Sequence, residues 1–109
     1  MWEYLAGIFD VRGFIQVNLT KDKKGRTKFN VYFNFTDKDL KTFLYIHDFL
    51  NKHNIKNSIY KASRVRNRQE YQLYITSREG SKRFLENISQ YSFRQREILQ
   101  ALGKLTYKP

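Results

Sequence analysis

The sequence predicts an α+β fold in which four antiparallel strands form one sheet and helices cover one face of it. Two pairs of segments alternate between apolar and polar residues, and each pair flanks a short basic turn. Segments with apolar residues at helical spacing precede, separate and follow these pairs. The predicted order is therefore α-β-β-α-β-β-α, with one further helix at the end. A chain of 109 residues fits one domain, 1–109.

The first hairpin follows a short helix predicted over Trp2 to Val11. Polarity alternates from Phe14 to Thr20 and again from Thr27 to Phe35, with the apolar set facing inward. A lysine-rich turn joins the two strands. The outward set comprises Gln16, Asn18, Thr20, Lys28, Asn30, Tyr32 and Asn34.

A helix ending near Lys52 separates the two hairpins, and the spacing of Thr36 and Asp39 predicts a capping box at its start. The strands of the second hairpin are predicted over Ile59 to Ala62 and Glu70 to Ile75. In the later strand the outward set is Glu70, Gln72 and Tyr74, whereas the inward set around Tyr60 stays ambiguous.

Two helices are predicted at the end of the chain, Ser77 to Ile88 and Ser92 to Leu102. Both carry apolar residues at helical spacing. Ser92 and Gln95 predict a second capping box, and Gly103 predicts the end of the last helix.

Positive charge is concentrated at the two hairpin turns. The chain has 21 Lys and Arg against 10 Asp and Glu, a net charge of +11. The segment from Arg12 to Lys28 contains six basic residues and one acidic residue, Asp22. The segment from Lys56 to Arg68 contains five basic residues and no acidic one. One such run is commonly a solvated loop tip, but two matched runs favour an anionic partner, nucleic acid first.

Several classes of protein are disfavoured by what the sequence lacks. Without cysteine there is no disulfide, thiolate nucleophile or cysteine-based zinc site. The longest apolar run, Tyr4 to Phe9, is too short for a membrane span, and no signal peptide is recognisable, so the cytoplasm or an organelle interior is expected. His47 and His53 lack a third ligand and are expected to be packing or surface residues.

The segment Leu5-Ala6-Gly7-Ile8-Phe9-Asp10-Val11-Arg12-Gly13 resembles the nine-residue signature of the LAGLIDADG homing endonucleases. The order of elements extends the resemblance over nearly the whole chain. It implies a curved sheet that lies in the major groove of DNA. It also implies a homodimer, because small residues allow two signature helices to pack closely. The interface residues that it implies are Ala6, Gly7, Asp10 and Val11.

The sequence departs from this family at the residue on which cleavage depends. The eighth signature position supplies an acid that binds a divalent metal in the family, but here it is Arg12, and a guanidinium has no acceptor for a cation. Val11 stands at a position that is small in the family. The catalytic candidates that the resemblance leaves are Asp10, the degenerate Arg12, Asp37 and Gln95, and no metal ligands are predicted.

The predicted DNA-binding residues follow the outward strand positions and the two basic turns. Their side chains can bond base edges and phosphates. They are Gln16, Asn18, Thr20, Lys21, Lys23, Lys24, Arg26, Lys28, Asn30, Tyr32, Asn34, Tyr60, Lys61, Arg64, Arg66, Arg68, Gln72 and Tyr74.

The resulting hypothesis is a sequence-specific double-stranded DNA-binding homodimer that has lost, or nearly lost, nuclease activity and needs no cofactor. One alternative is an active homing endonuclease with a relocated acid, which would need Mg²⁺. Others are an RNA-binding maturase, and a regulatory or ribosomal protein that binds nucleic acid or an acidic protein without sequence specificity.

Overall fold

The computed structural model describes the backbone of residues 1–21 and 27–106, and the side chains of these residues except 18–21, 27, 28, 65, 105 and 106. Nine elements follow one another in the predicted order, with a single 3-10 turn added before the second helix. They are α1 (Trp2–Arg12), β1 (Gly13–Lys21), β2 (Thr27–Thr36), the 3-10 turn (Asp37–Asp39), α2 (Leu40–Lys52), β3 (Asn57–Val65), β4 (Arg68–Ile75), α3 (Arg78–Ile88) and α4 (Gln95–Thr106).

The four strands form one antiparallel sheet in the order β1-β2-β4-β3, which confirms the predicted α+β class. The two hairpins join where β2 pairs with β4, from Val31 opposite Ile75 to Thr36 opposite Glu70. Because β1 and β4 both run antiparallel to β2, they run in the same direction. The Lys21 end of β1 and the Arg68 end of β4 therefore lie at opposite ends of the sheet.

The helices pack on the inner face of the sheet around a cluster of phenylalanines. Phe33 of β2 lies at the centre of this cluster and is fully buried. Its ring centroid is 5.7 Å from those of Phe43 in α2 and Phe84 in α3, and 6.2 Å from that of Phe9 in α1. The inward phenylalanines of β2 therefore fix three helices on one face and leave the other face of the sheet open.

Both predicted capping boxes are wrong, whereas Ser77 caps α3. Thr36 makes no side-chain cap, because Asp37–Asp39 forms a 3-10 turn before α2 begins. The hydroxyl of Ser92 donates to Asp10 and accepts from the N–H of Arg94, and α4 begins only at Gln95. By contrast, the Ser77 hydroxyl accepts from the N–H of Gly80 at 2.9 Å.

Predicted boundaries also differ from the structure, most clearly at the end of α4 and at both ends of β3. Gly103 does not end α4, which continues to Thr106. The strand predicted over Ile59 to Ala62 extends over Asn57–Val65. Among the described helices, none has the length and apolar character needed to cross a membrane.

Candidate functional site

The foot of α1, where the helix ends and β1 begins, holds an ion pair between Arg12 and Asp39. The Arg12 Nη1 lies 2.9 Å from the Asp39 Oδ2, and both side chains are partly exposed. Asp39 is the last residue of the 3-10 turn, so that turn brings the carboxylate to the end of α1. The neighbouring Asp37 accepts a hydrogen bond from the Tyr71 hydroxyl. This bond, together with burial and the Asp37 charge, raises the pKa of Tyr71.

Asp10 holds the segment that leads into α4. Its carboxylate accepts hydrogen bonds from the Ser92 hydroxyl and, at 3.0 Å, from the backbone N–H of Phe93. Arg94 strengthens the same junction. Its guanidinium donates to the carbonyls of Phe9 and Gly13 at 3.0 and 2.6 Å and lies 4.5 Å from the centre of the Phe9 ring. The geometry gives Asp10 a structural role between α1 and α4.

Gly13, the first residue of β1, leaves room for the Phe9 ring. A Cβ built on Gly13 would come within 2.2 Å of the Phe9 side chain. The small residue therefore lets the chain turn directly from helix to strand beneath Arg12.

The open face of the sheet carries polar side chains in register. Asn34 lies opposite Gln72 and accepts a hydrogen bond from its Nε2 at 2.9 Å. Gln16 lies opposite Asn30, whose Nδ2 donates to the carbonyl of Ile75 at 3.2 Å. The structure thus brings the described outward residues of β1, β2 and β4 together on one surface.

An aromatic row, made of Phe14, Tyr32, Tyr74 and Tyr60, crosses all four strands on this open face. The ring centroids of successive members are 5.2, 5.0 and 6.1 Å apart. Burial within the row, and to a smaller extent the neighbouring Tyr32, raises the pKa of Tyr74 above its ordinary value of 10.0. The sequence interpretation selected the three tyrosines but missed Phe14. The sequence did contain a signal for Phe14, because the alternation of polarity in β1 predicts that this aromatic residue faces outward.

The second basic turn lies at the same end of the sheet as the foot of α1. Arg66 and Asn67 have φ angles of 49° and 64°, the left-handed pair typical of a tight hairpin turn. Thr36, Asp37 and Lys38 line a shallow depression together with Asn67 and Arg68. Arg68 is thereby placed beside the 3-10 turn that carries Asp39.

An irregularity in β3 divides the predicted basic residues between the two faces of the sheet. The register shifts between Lys61, opposite Tyr71, and Arg64, opposite Gln69. Both therefore share the helix-bearing side, whereas Tyr60 and Arg68 take the open side. Lys61 and Arg64 therefore do not lie on the open face with Tyr60, and DNA binding by them stays a prediction.

The first basic turn lies largely outside the described residues. The structure does not describe residues 22–26, which include Lys23, Lys24 and Arg26. It also does not describe the side chains of Asn18, Thr20, Lys21 and Lys28. The backbone pairs Asn18 with Lys28 and Lys21 with Thr27. DNA binding by these residues stays a prediction.

The exposed side of α1 borders a groove of about 460 Å³ between α1 and α2. Val11 is 81% exposed and Tyr4 is 52% exposed on this side, and no described atom lies within 4 Å of a Cβ built on Gly7. Ala6, by contrast, is fully buried in its own chain and belongs to the core rather than to this face.

A family model, described as a LAGLIDADG-like domain, matches residues 2–89, which is most of the chain. The chain belongs to the LAGLIDADG-like domain family. No curated protein matches it.

Solved structures of LAGLIDADG-type homing endonucleases share the fold. The chain is similar to the homing endonuclease I-CvuI, solved in complex with its target, with a TM-score of 0.70, 15% identity, and coverage of 94% of this chain and 63% of that one. It is also similar to I-TnaI, with a TM-score of 0.71, 14% identity, and coverage of 93% and 68%. The meganuclease I-CpaMI, solved bound to uncleaved DNA, matches with a TM-score of 0.68, 17% identity, and coverage of 94% and 37%. The chain thus spans less than two thirds of the length of I-CvuI.

The LAGLIDADG signature of this chain does not fit a divalent cation. The eighth position presents the Arg12 guanidinium, which repels a cation and neutralises the nearest carboxylate, Asp39. The Asp10 carboxylate is committed to Ser92 and Phe93. Within the described residues, no three acidic or histidine side chains come together as a metal site. Gln95 is exposed at the start of α4.

The Arg94–Glu97 ion pair, next to the contacts between α1 and the start of α4, should make the free energy of unfolding depend on pH in the acidic range. The Arg94 hydrogen bonds, at 2.9 and 2.8 Å, are the main reason that the pKa of Glu97 is lowered from 4.5. A carboxyl group whose pKa is lower in the folded than in the unfolded protein stabilises the fold at pH values above its unfolded pKa. This contribution is lost as the pH falls through the folded pKa. We expect Glu97→Gln to lower the free energy of unfolding slightly at pH 7, because the pair is half-exposed, and to reduce its decline below about pH 4.5. Urea titrations at pH 7 and below about pH 4.5 test this. An equal decline in the free energy of unfolding of the wild-type protein and of Glu97→Gln would contradict it.

Proposed function

We propose that this protein is a sequence-specific double-stranded DNA-binding homodimer built on the LAGLIDADG fold, and that its nuclease activity is lost. The observation that carries the loss of activity is Arg12 at the eighth signature position, in an ion pair with Asp39 at 2.9 Å. The Arg12 guanidinium repels a divalent metal ion at that position. The metal ion that activates water for attack on the phosphodiester in the family would therefore not be bound.

The placement of the two basic turns supports binding along a duplex. The first turn precedes β2 in the chain, and the second precedes Arg68, which lies at the other end of β2. The two ends of this strand of 10 residues are about 30 Å apart. At 3.4 Å per base pair, this separation corresponds to about eight or nine base pairs. Between the turns, the open face offers amides that can bond base edges in the major groove. One protomer thus fits one half-site.

The exposed apolar side of α1 supports the homodimer. Val11 and Tyr4 border the groove, and Gly7 allows close approach of a second helix. Phe93, which is 98% exposed, adds an apolar side chain beside the foot of the same helix, where Asp10 holds its backbone. A two-fold axis along α1 would join two open faces into one extended surface and would make the preferred DNA site roughly palindromic.

The test begins with selection of bound duplexes from a random library. We expect a roughly two-fold symmetric consensus. Its affinity should fall with salt, with a logarithmic slope of about −0.9 for each phosphate neutralised. Equal affinity for unrelated duplexes would contradict sequence-specific binding and favour a general nucleic-acid-binding protein, whereas tighter binding to structured RNA would favour a maturase-like role.

The loss of nuclease activity is tested on a plasmid that carries the selected site. We expect no cleavage in Mg²⁺ or Mn²⁺ beyond that of a plasmid without the site. Site-specific cleavage by the wild-type protein would overturn the proposal. Cleavage that survives Arg12→Ala and is lost in an Asp10→Asn variant that unfolds at the same urea concentration as the wild type would show an endonuclease with a relocated acid.

A further inference from the structure

Three of the four rings of the aromatic row, those of Phe14, Tyr32 and Tyr74, are stacked on the open face of the sheet. Phe14 and Tyr32 stack with an angle of 17° between their planes, and Tyr32 and Tyr74 stack with an angle of 14°. Their centroid separations of 5.2 and 5.0 Å are close to the spacing of neighbouring strands. Nearly parallel rings this close must turn their faces towards each other, because coplanar rings would overlap at their edges.

This arrangement favours one kind of nucleic acid as the partner of the row. An unpaired base needs an open ring face on which to stack. In this row, Tyr32 has a ring on either side, whereas Phe14 lies at the end of the row with one neighbouring ring. The middle of the row therefore offers ring edges and hydroxyl groups rather than free faces. Edges and hydroxyl groups suit the floor of a duplex groove, where base pairs are also met edge-on.

We infer that Phe14 is a specificity-determining residue that contacts the 5-methyl group of a thymine in the major groove. This inference rests on the proposed binding of duplex DNA. Phe14 is 43% exposed and offers no hydrogen bond, in contrast to the neighbouring Gln16 and Asn30. The thymine methyl is the apolar group that base pairs present in the major groove, and contacts to it from apolar side chains, Phe included, are established.

Phe14 is held in place from two sides. The Tyr32 ring supports it laterally. The preceding Gly13 is fixed because its carbonyl accepts a hydrogen bond from Arg94 at 2.6 Å and its Cα lies against the Phe9 ring. A side chain that is already ordered loses little entropy on binding, so a small apolar contact is not offset by the cost of ordering it.

The position of Phe14 also predicts where the thymine lies. Phe14 is two residues beyond Arg12, at the end of the sheet nearest α1. In the proposed dimer this end is the inner end of each half-site. The selected consensus should therefore contain one fixed thymine near the inner end of both half-sites.

The experiment replaces each thymine of the selected duplex in turn by deoxyuridine, which removes only the methyl group. We expect replacement of the inner thymine to lower the affinity of the duplex for the wild-type protein about fourfold. The same replacement should have no effect with Phe14→Ala and a reduced effect with Phe14→Leu. Tyr45→Ala, at an exposed aromatic residue of α2 on the other side of the sheet, should retain the full wild-type loss.

The results that would overturn the inference are distinct from failure of the proposed function. If no deoxyuridine replacement weakens wild-type binding, no methyl group is read, whatever the variants do. If Phe14→Ala shows the same losses as the wild type, another residue contacts the methyl. If Phe14→Ala weakens binding of single strands but not of the duplex, the row is a stacking surface for unpaired bases. Failure to select any duplex would instead refute the proposed function itself.

Discussion

Replacing Val11 with aspartate should convert the protein to a monomer and lower its affinity for a two-fold symmetric duplex by at least about 100-fold. Val11 is 81% exposed on the groove side of α1, and the proposed interface buries it in both protomers. A symmetric interface repeats the change, so two carboxylates would be buried close together without a partner. Each loses its hydration, and their charges repel each other.

Sedimentation with and without the selected duplex measures this outcome. We expect the wild-type protein to have the mass of a dimer at least when bound, and Val11→Asp to have the mass of a monomer. Leu99→Asp provides the matched control, because Leu99 is an exposed apolar residue of α4 that does not line the groove. A wild-type protein that stays monomeric in both conditions would refute the shared helix interface.

The fold was predictable because β2 and β4 alternate between inward apolar and outward residues and because α2, α3 and α4 are amphipathic. The apolar residues of β2, three phenylalanines and Val31, alternate strictly with Asn30, Tyr32 and Asn34. This period of two identified the strand and its inner face from local sequence alone. The same rule left the inward set of β3 undecided. The shift between Lys61 and Arg64 exchanges the two faces, and no local pattern in the sequence shows that a strand contains such an irregularity.

The contacts at the foot of α1 could not be predicted because they join distant parts of the chain. The signature motif indicated that Asp10 and Arg12 matter, but their partners come from elsewhere. Asp10 binds Ser92, which is 82 residues away, and Arg12 binds Asp39 of the 3-10 turn. A serine followed by Gln95 satisfied the local rule for a capping box, yet its hydroxyl serves the distant carboxylate instead.

Replacing Arg12 with aspartate should make DNA binding dependent on a divalent cation, which the wild-type protein should not require. The change removes a cation from each protomer at the foot of α1, adds an anion there, and leaves Asp39 without its ion-pair partner. Without a divalent cation, these carboxylates would repel the phosphates of the duplex, and we expect the affinity to fall by about 10-fold or more. Calcium should restore much of it, because carboxylate oxygens are its preferred ligands.

Arg12→Gln separates the loss of the cation from the gain of the acid. It removes the positive charge without adding a carboxylate, so its affinity should fall less and should not respond to calcium at constant ionic strength. The comparison uses fluorescence anisotropy on the selected duplex, with Na⁺ adjusted so that adding Ca²⁺ leaves the ionic strength unchanged. A wild-type affinity that already rises with calcium would show that the chain binds a divalent cation despite Arg12, and the proposed loss of the metal site would be wrong. A calcium response confined to Arg12→Asp would show that this one residue decides whether the foot of α1 accepts a cation.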